Sequence, residues 1–169
     1  PCTHGPLSAP PVDRRSVLCS SRLCALCSLH MQDSAGPEFA GSGSAGICDQ
    51  VCAFGCGRVN IGAFGGYPSQ VTIFGESAGG MSVGTLLGLP AAQGLFTRAI
   101  VQSGGGSFCL TAERGTDIAR TLLAEAGITT PEQLQSAHLD TILEAQGKAL
   151  SAHLPDQIPF IPAVTATVV

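Results

Sequence analysis

Tryptophan is absent from the 169 residues, tyrosine occurs once, and aromatics make up only 5%. Charge is scarce too, with Asp, Glu, Lys and Arg at 12%. Eight Lys and Arg against twelve Asp and Glu leave a net charge of −4, and the basic residues form no stripe. That balance excludes a nucleic-acid surface as partner. No apolar run approaches the ~20 residues of a membrane-spanning helix, so no membrane partner is expected. No leader is legible in "PCTHGPLSAPPVDRR", which does not start with Met and has no apolar centre. The chain reads as a piece of something longer, with a lean towards the cytoplasm and no indication of oligomeric state. What it does have is 44% hydrophobic residues, enough for one folded domain with a core.

Cysteine is not scarce, but it is lopsided. Cys2, Cys19, Cys24, Cys27, Cys48, Cys52 and Cys56 crowd the first third, and Cys109 stands alone beyond. A secreted disulfide scaffold spreads its cysteines through the whole domain. Cys24-x-x-Cys27 with Cys48, Cys52 and Cys56 raises a Cys-rich metal-binding domain as one alternative. The second trio repeats every four residues, which is one helix face and not a knuckle, so no metal ligand is assigned. The plainer expectation is that these cysteines fill small buried positions.

Residues 1–42 read as irregular, 43–110 as the core of the domain, and 111–169 as a helical segment with an extended tail. Ile47, Val51 and Phe54 have helical spacing, weakened by Gly55 and Gly57. "QVTIFG" (70–75) is a buried-strand signal. "AGGMSVGTLLGL" is helical in period through Met81, Leu86 and Leu89, and Pro90 stops it. "FTRAIVQSGGG" (96–106) is a second strand. Strand, turn, helix, strand is a βαβ unit and implies a parallel sheet, hence an α/β fold. Further on, Ile118, Leu122 and Leu123 share a helix face that ends at Gly127. Thr130, Pro131 and Gln133 form a helix start. Leu139, Ile142 and Leu143 mark another short amphipathic helix.

The chemistry-bearing stretch is Gly75-Glu76-Ser77-Ala78-Gly79. A serine hydroxyl is a weak nucleophile until a base takes its proton, and it must stand clear of the backbone. A sharp strand-to-helix turn, G-x-S-x-G, achieves this, and glycines two places either side let backbone pack on backbone. The following helix aims its free N–H groups at the site, where the N–H of Ala78 would stabilise a developing oxyanion. In a chain with 22 glycines the pattern alone is weak. Its place after a strand and before a helix makes it specific.

"NIGAFGGYPSQVTIFGESAGGMSVGTLLGLPAAQGLFTRAIVQSG" (60–104) resembles the type-B carboxylesterase and cholinesterase family of α/β-hydrolases. That family reads N-I-x-x-F-G-G-D-P, then V-T-[IV]-F-G-E-S-A-G, then G-L-F-x-x-A-I-x-Q-S-G. Tyr67 stands where the family has Asp. "GICDQ" (46–50) resembles G-L-x-D-Q, and "IPFIPAV" resembles P-F-x-P-V-x-D-G with Thr165 and Ala166 in place of Asp and Gly. "RLCALCSL" (22–29) looks like R-L-G-x-x-G-F-L, so Cys24, Cys27 and Cys56 stand where the family has Gly, Gly and Trp. Each change is one base away, which reads as drift or imperfect translation of this region.

The resemblance implies a partial α/β-hydrolase fold, a parallel-sheet βαβ core with a nucleophile elbow. It implies Ser77 as acyl-transfer nucleophile, Ala78 as oxyanion donor, and Gly75, Glu76 and Gly79 in support. Glu76 is not the triad acid; it reads as a buried hydrogen-bonded carboxylate or as having a direct role. The substrate class is a small-molecule carboxylic ester, with no cofactor. The family's acid and histidine come further downstream than the 92 residues that follow Ser77. His138 and His153 carry no family signature and read as surface residues, and His4-Gly5-Pro6 is a poor match to the family's H-G-G loop. The chain is therefore expected to hold the nucleophile and to be inactive alone. A non-catalytic, cholinesterase-like adhesion module is the remaining alternative, against which the intact Ser77 counts.

Overall fold

The computed structural model describes residues 29–31, 36–39, 41–105, 108–154 and 158–163. Cys2, Cys19, Cys24, Cys27 and His4 lie outside the described residues.

Helix α1 spans Ala45–Asn60 and is rooted by Ile47, which is fully buried. It runs straight through Gly55 and Gly57 despite their low helix propensity. Tertiary anchors explain this. Val51 and Phe54 pack against an apolar cluster, and the Arg58 guanidinium donates to the Gly94 carbonyl. A 3₁₀ turn, Ile61–Phe64, follows, and Gly65 closes it in the left-handed region at φ 82°.

Strands β1 (Thr72–Glu76) and β2 (Arg98–Gln102) are parallel, with Ile73 opposite Ala99 and Glu76 opposite Gln102. Helix α2 (Ala78–Gly88) connects them, completing the expected βαβ unit. It stops where Leu89 turns extended and Pro90 opens a new 3₁₀ turn. Strand β2 is shorter than the expected 96–106 stretch, and just beyond it Ser103 turns the chain at φ 50°. The sheet is less buried than its sequence suggests. Ile73 faces Val83 and Leu86 in the core, but Phe74 is 56% and Ile100 51% exposed on the other face. Among the described residues, that second face is only about half covered.

Helix α3 (Ala112–Ala126) starts on Thr111, whose side chain accepts the N–H of Arg114. It ends at Gly127 with φ 67°, as its sequence indicates. Gly115, Thr116, Ile118, Ala119 and Leu122 are its buried residues, with Leu123 partly covered. Helix α4 (Pro131–Ser136) begins with a full capping box between Thr130 and Gln133. Helix α5 (Leu139–His153) corrects an expectation. Leu139 and Leu143 are exposed, and the residues packed inward are Ala145 and Ala149. Small side chains let α5 lie close against α3, and leucines there would hold the helices apart.

Beyond α5 the chain returns to the front of the domain. Phe160, buried and at φ 61°, turns it so that Ala163 pairs beside Leu110. The Ala163 N–H donates to the Gly43 carbonyl at 2.9 Å, and Ser44 Oγ donates to the Ala163 carbonyl at 2.9 Å. Two apolar clusters result. One gathers Ile47, Ile73, Val83 and Leu86 behind the sheet, and the other gathers α3, α5 and the 158–163 stretch around Ile118 and Ile161.

Candidate active site

Ser77 lies between the last residue of β1 and the first of α2, at φ 52° and ψ −117°. A non-glycine residue in such a conformation costs about 1–3 kcal/mol and persists only where its surroundings enforce it. The enforcing contacts are backbone ones. Ser77 N–H donates to the Gln102 carbonyl at 2.9 Å, and the Ser77 carbonyl accepts the N–H of Met81 at 2.9 Å. The turn is thus the end of the β ladder and the start of the helix at once. The hydroxyl makes no capping bond to its own helix, and Ser77 is exposed.

The glycines around it fall into two kinds. A Cβ on Gly75 would lie 2.3 Å from the carbonyl carbon and oxygen of Gly79, so the turn closes only without one. A Cβ on Gly79 would meet nothing within 4 Å outside its own helix backbone. The expectation that packing forces both motif glycines therefore holds at Gly75 and fails at Gly79. The tight positions are instead Gly80, whose Cβ would sit 2.5 Å from the Gln102 carbonyl oxygen, and Gly104, whose Cβ would sit 2.6 Å from the Met81 nitrogen. Gly104 also approaches the Ser77 carbonyl. The chain leaving β2 is pressed against the turn that leaves β1.

Ala78 is the first residue of α2, where N–H groups have no intrahelical acceptor. Glu76 is exposed to solvent in this chain, so of its two readings the buried carboxylate is not met by the described residues. A small crevice, lined mainly by apolar groups, runs along the inward face of α2, between Ala78, Met81 and Thr85 on one side and Phe108 and Ile161 on the other. Behind α2, Gln50 of α1 donates to Ser82 Oγ at 3.3 Å. Sequence reading passed over Gln50, Gly80 and Gly104, although Gln50 closes the matched "GICDQ" segment.

The histidines are held elsewhere. His138 pairs with Asp140 at 3.5 Å on the surface, as expected. His153 is half-buried and its Nε2 lies 2.9 Å from Thr121 Oγ1, so it joins α5 to α3 and is not a free surface residue. His30 is buried in a seam formed by Gly43 and Gly115, and its Nδ1 has no hydrogen-bond partner among the described residues.

Cys52 and Cys56 are exposed on α1 and Cys48 is partly so, which corrects the expectation that they fill buried positions. Burial and the neighbouring Cys52 and Asp49 raise the pKa of the Cys48 thiol, so it is held protonated. Among the described residues no three His, Cys, Asp or Glu side chains are grouped to hold a metal.

The chain is similar to known proteins. The model of the Carboxylesterase family matches residues 22–169. The para-nitrobenzyl esterase of Bacillus subtilis is 40% identical over 127 residues, covering 73% of this chain and 26% of the relative. Human cocaine esterase is 37% identical over 131 residues, covering 78% and 23%. The crystal structure of Geobacillus stearothermophilus carboxylesterase EST55 at pH 6.8 superposes with a TM-score of 0.75 at 44% identity, over 83% of this chain and 30% of that one. The chain thus spans about a quarter of the length of the curated relatives it matches. Its βαβ unit is part of an α/β-hydrolase fold, and the chain belongs to the carboxylesterase family.

Proposed function

We propose that this chain supplies the nucleophile of a serine carboxylic ester hydrolase, whose acid and base lie in other parts of the full-length protein. The observation that carries the reading is the enforced geometry of Ser77, exposed at positive φ directly before a helix. In the proposed reaction Ser77 Oγ attacks the ester carbonyl while a base takes its proton. The carbonyl oxygen becomes an oxyanion and accepts the N–H of Ala78. Collapse breaks the C–O bond and the alcohol leaves with the proton, giving an acyl-serine that water then hydrolyses. Gly75 supports the site by letting the turn close, and Gly79 by its place in the first turn of α2. Glu76 contributes at most through its position beside the nucleophile.

The substrate class is a small carboxylic ester, in keeping with the ester-cleaving names of the relatives. Fluorophosphonate labelling of the full-length protein tests the reading. Labelling that is lost in Ser77→Ala is the expected result. Failure of the wild-type protein to label, or equal labelling of the variant, overturns it.

A further inference from the structure

A helix normally begins on a side chain that accepts its first free N–H groups. Helix α2 begins on Ser77, whose side chain makes no such bond. As the proposed nucleophile, that hydroxyl has to stay available. The first turn is also poor in helix formers, since Ala78 is followed by Gly79 and Gly80. The peptide that presents the oxyanion donor is therefore held on its carbonyl side, where the Ser77 carbonyl accepts the Met81 N–H at 2.9 Å, but it has no side-chain cap.

A second hold, on the other side of the Ala78 α-carbon, comes from α1. Gln50 is 6% and Ser82 7% exposed, two polar side chains next to the cluster of Ile47, Ile73 and Val83. The Gln50 amide donates to Ser82 Oγ at 3.3 Å. The single proton of that hydroxyl goes to the Ala78 carbonyl at 3.0 Å. Two hydrogen bonds thus connect the buried face of α1 to the residue whose N–H faces the reaction. The N–H and the carbonyl of Ala78 share one α-carbon, so fixing one limits the swing of the other.

Resting on the nucleophile reading above, we infer that Gln50 is a positioning residue for acyl transfer, acting through Ser82 on the direction of the Ala78 N–H. Its loss misaims the oxyanion donor without removing it. The effect on kcat is about 10-fold, below the 10²–10³ of deleting a donor outright. KM for a small ester stays unchanged, because the bond matters where charge develops.

The test uses the full-length protein with Gln50→Leu, Ser82→Ala and the double variant. Active sites are counted by fluorophosphonate titration, so that poorly folded material is not scored as slow enzyme. The expected result is a kcat per titrated site about tenfold lower in each single variant, unchanged KM, and a double variant no slower than the slower single. Ser82→Ala, the smaller change, carries the test if Gln50→Leu does not fold. Unchanged kcat per site, with only a lower melting temperature, overturns the inference and leaves the nucleophile reading standing. A wild-type protein that does not label removes both.

Discussion

The backbone N–H of Ser77 reaches the carbonyl of Gln102, so the turn that ends β1 is held by the last residue of β2. The Gln102 oxygen is also the atom that a Cβ on Gly80 would strike at 2.5 Å. One carbonyl therefore sets both the conformation of Ser77 and the residue allowed three positions later.

Gly80→Ala and Gly79→Ala separate those roles. At Gly80 the added methyl meets backbone that cannot swing aside, and the expected cost is about 1–3 kcal/mol. At Gly79 the methyl enters open space on a helix, and a gain of about 0.5–1 kcal/mol follows from helix propensity and a less flexible unfolded chain. Denaturant melts of the two variants check the opposite signs.

Ser77→Gly removes the penalty of positive φ at that position. The expected outcome is a protein more stable by about 1 kcal/mol that no longer reacts with a fluorophosphonate. Ser77→Ala loses the reaction as well but keeps the strain. Melting temperatures of the pair, read beside labelling, distinguish the backbone effect from the chemical one.

The capping box of α4 is a local device with a local cost. Thr130→Ala is expected to destabilise by about 1 kcal/mol. Because Thr130 and Gln133 satisfy each other's backbone groups, the double variant Thr130→Ala, Gln133→Ala should cost less than the two singles added. Thermal melts of the three variants measure this coupling.

Glu132, in the first turn of α4, has its carboxylate pKa held below the ordinary value by a bond to its own backbone N–H and by the Thr130 hydroxyl. A lowered folded-state pKa contributes stability above the ordinary carboxylate value, and that contribution fades as pH falls through the lowered one. Glu132→Gln is therefore expected to flatten the acid side of a stability-against-pH curve and to leave the alkaline side alone. NMR titration of the Glu132 carboxyl gives the same information directly.

Much of this was legible in the sequence because it is local. Gly127 ends α3 and Thr130 starts α4 through contacts spanning four residues, and both are written in residue type. The βαβ order followed from β-branched runs and a glycine-marked turn. What was not legible depends on distant partners. "QVTIFG" has the composition of a strand buried on both faces, yet Phe74 lies open because burial is decided by what is placed over it. Gly80 and Gly104 look no different from Gly79 until the strand that presses on them is in place. Gln50 reads as one more polar residue of a helix, and only the position of Ser82 gives it a buried hydrogen-bond partner. The inward face of α5 was misjudged because leucine signals hydrophobicity, whereas the space beside α3 selects for alanine.

The closure between Gly43 and Ala163 has a consequence for the order in which the molecule assembles. The pairing of Ser77 with Gln102 joins residues 25 positions apart, whereas Ser44 and Ala163 are separated by 119. Distant contacts are reached slowly, since the intervening chain must first be confined. The Ser77 turn is thus expected to acquire protection from hydrogen exchange early in refolding, with the amide of Ala163 protected last. On a ribosome the same asymmetry means that Ser77 would already be presented on its turn while the strap that pairs with Gly43 was still being synthesised.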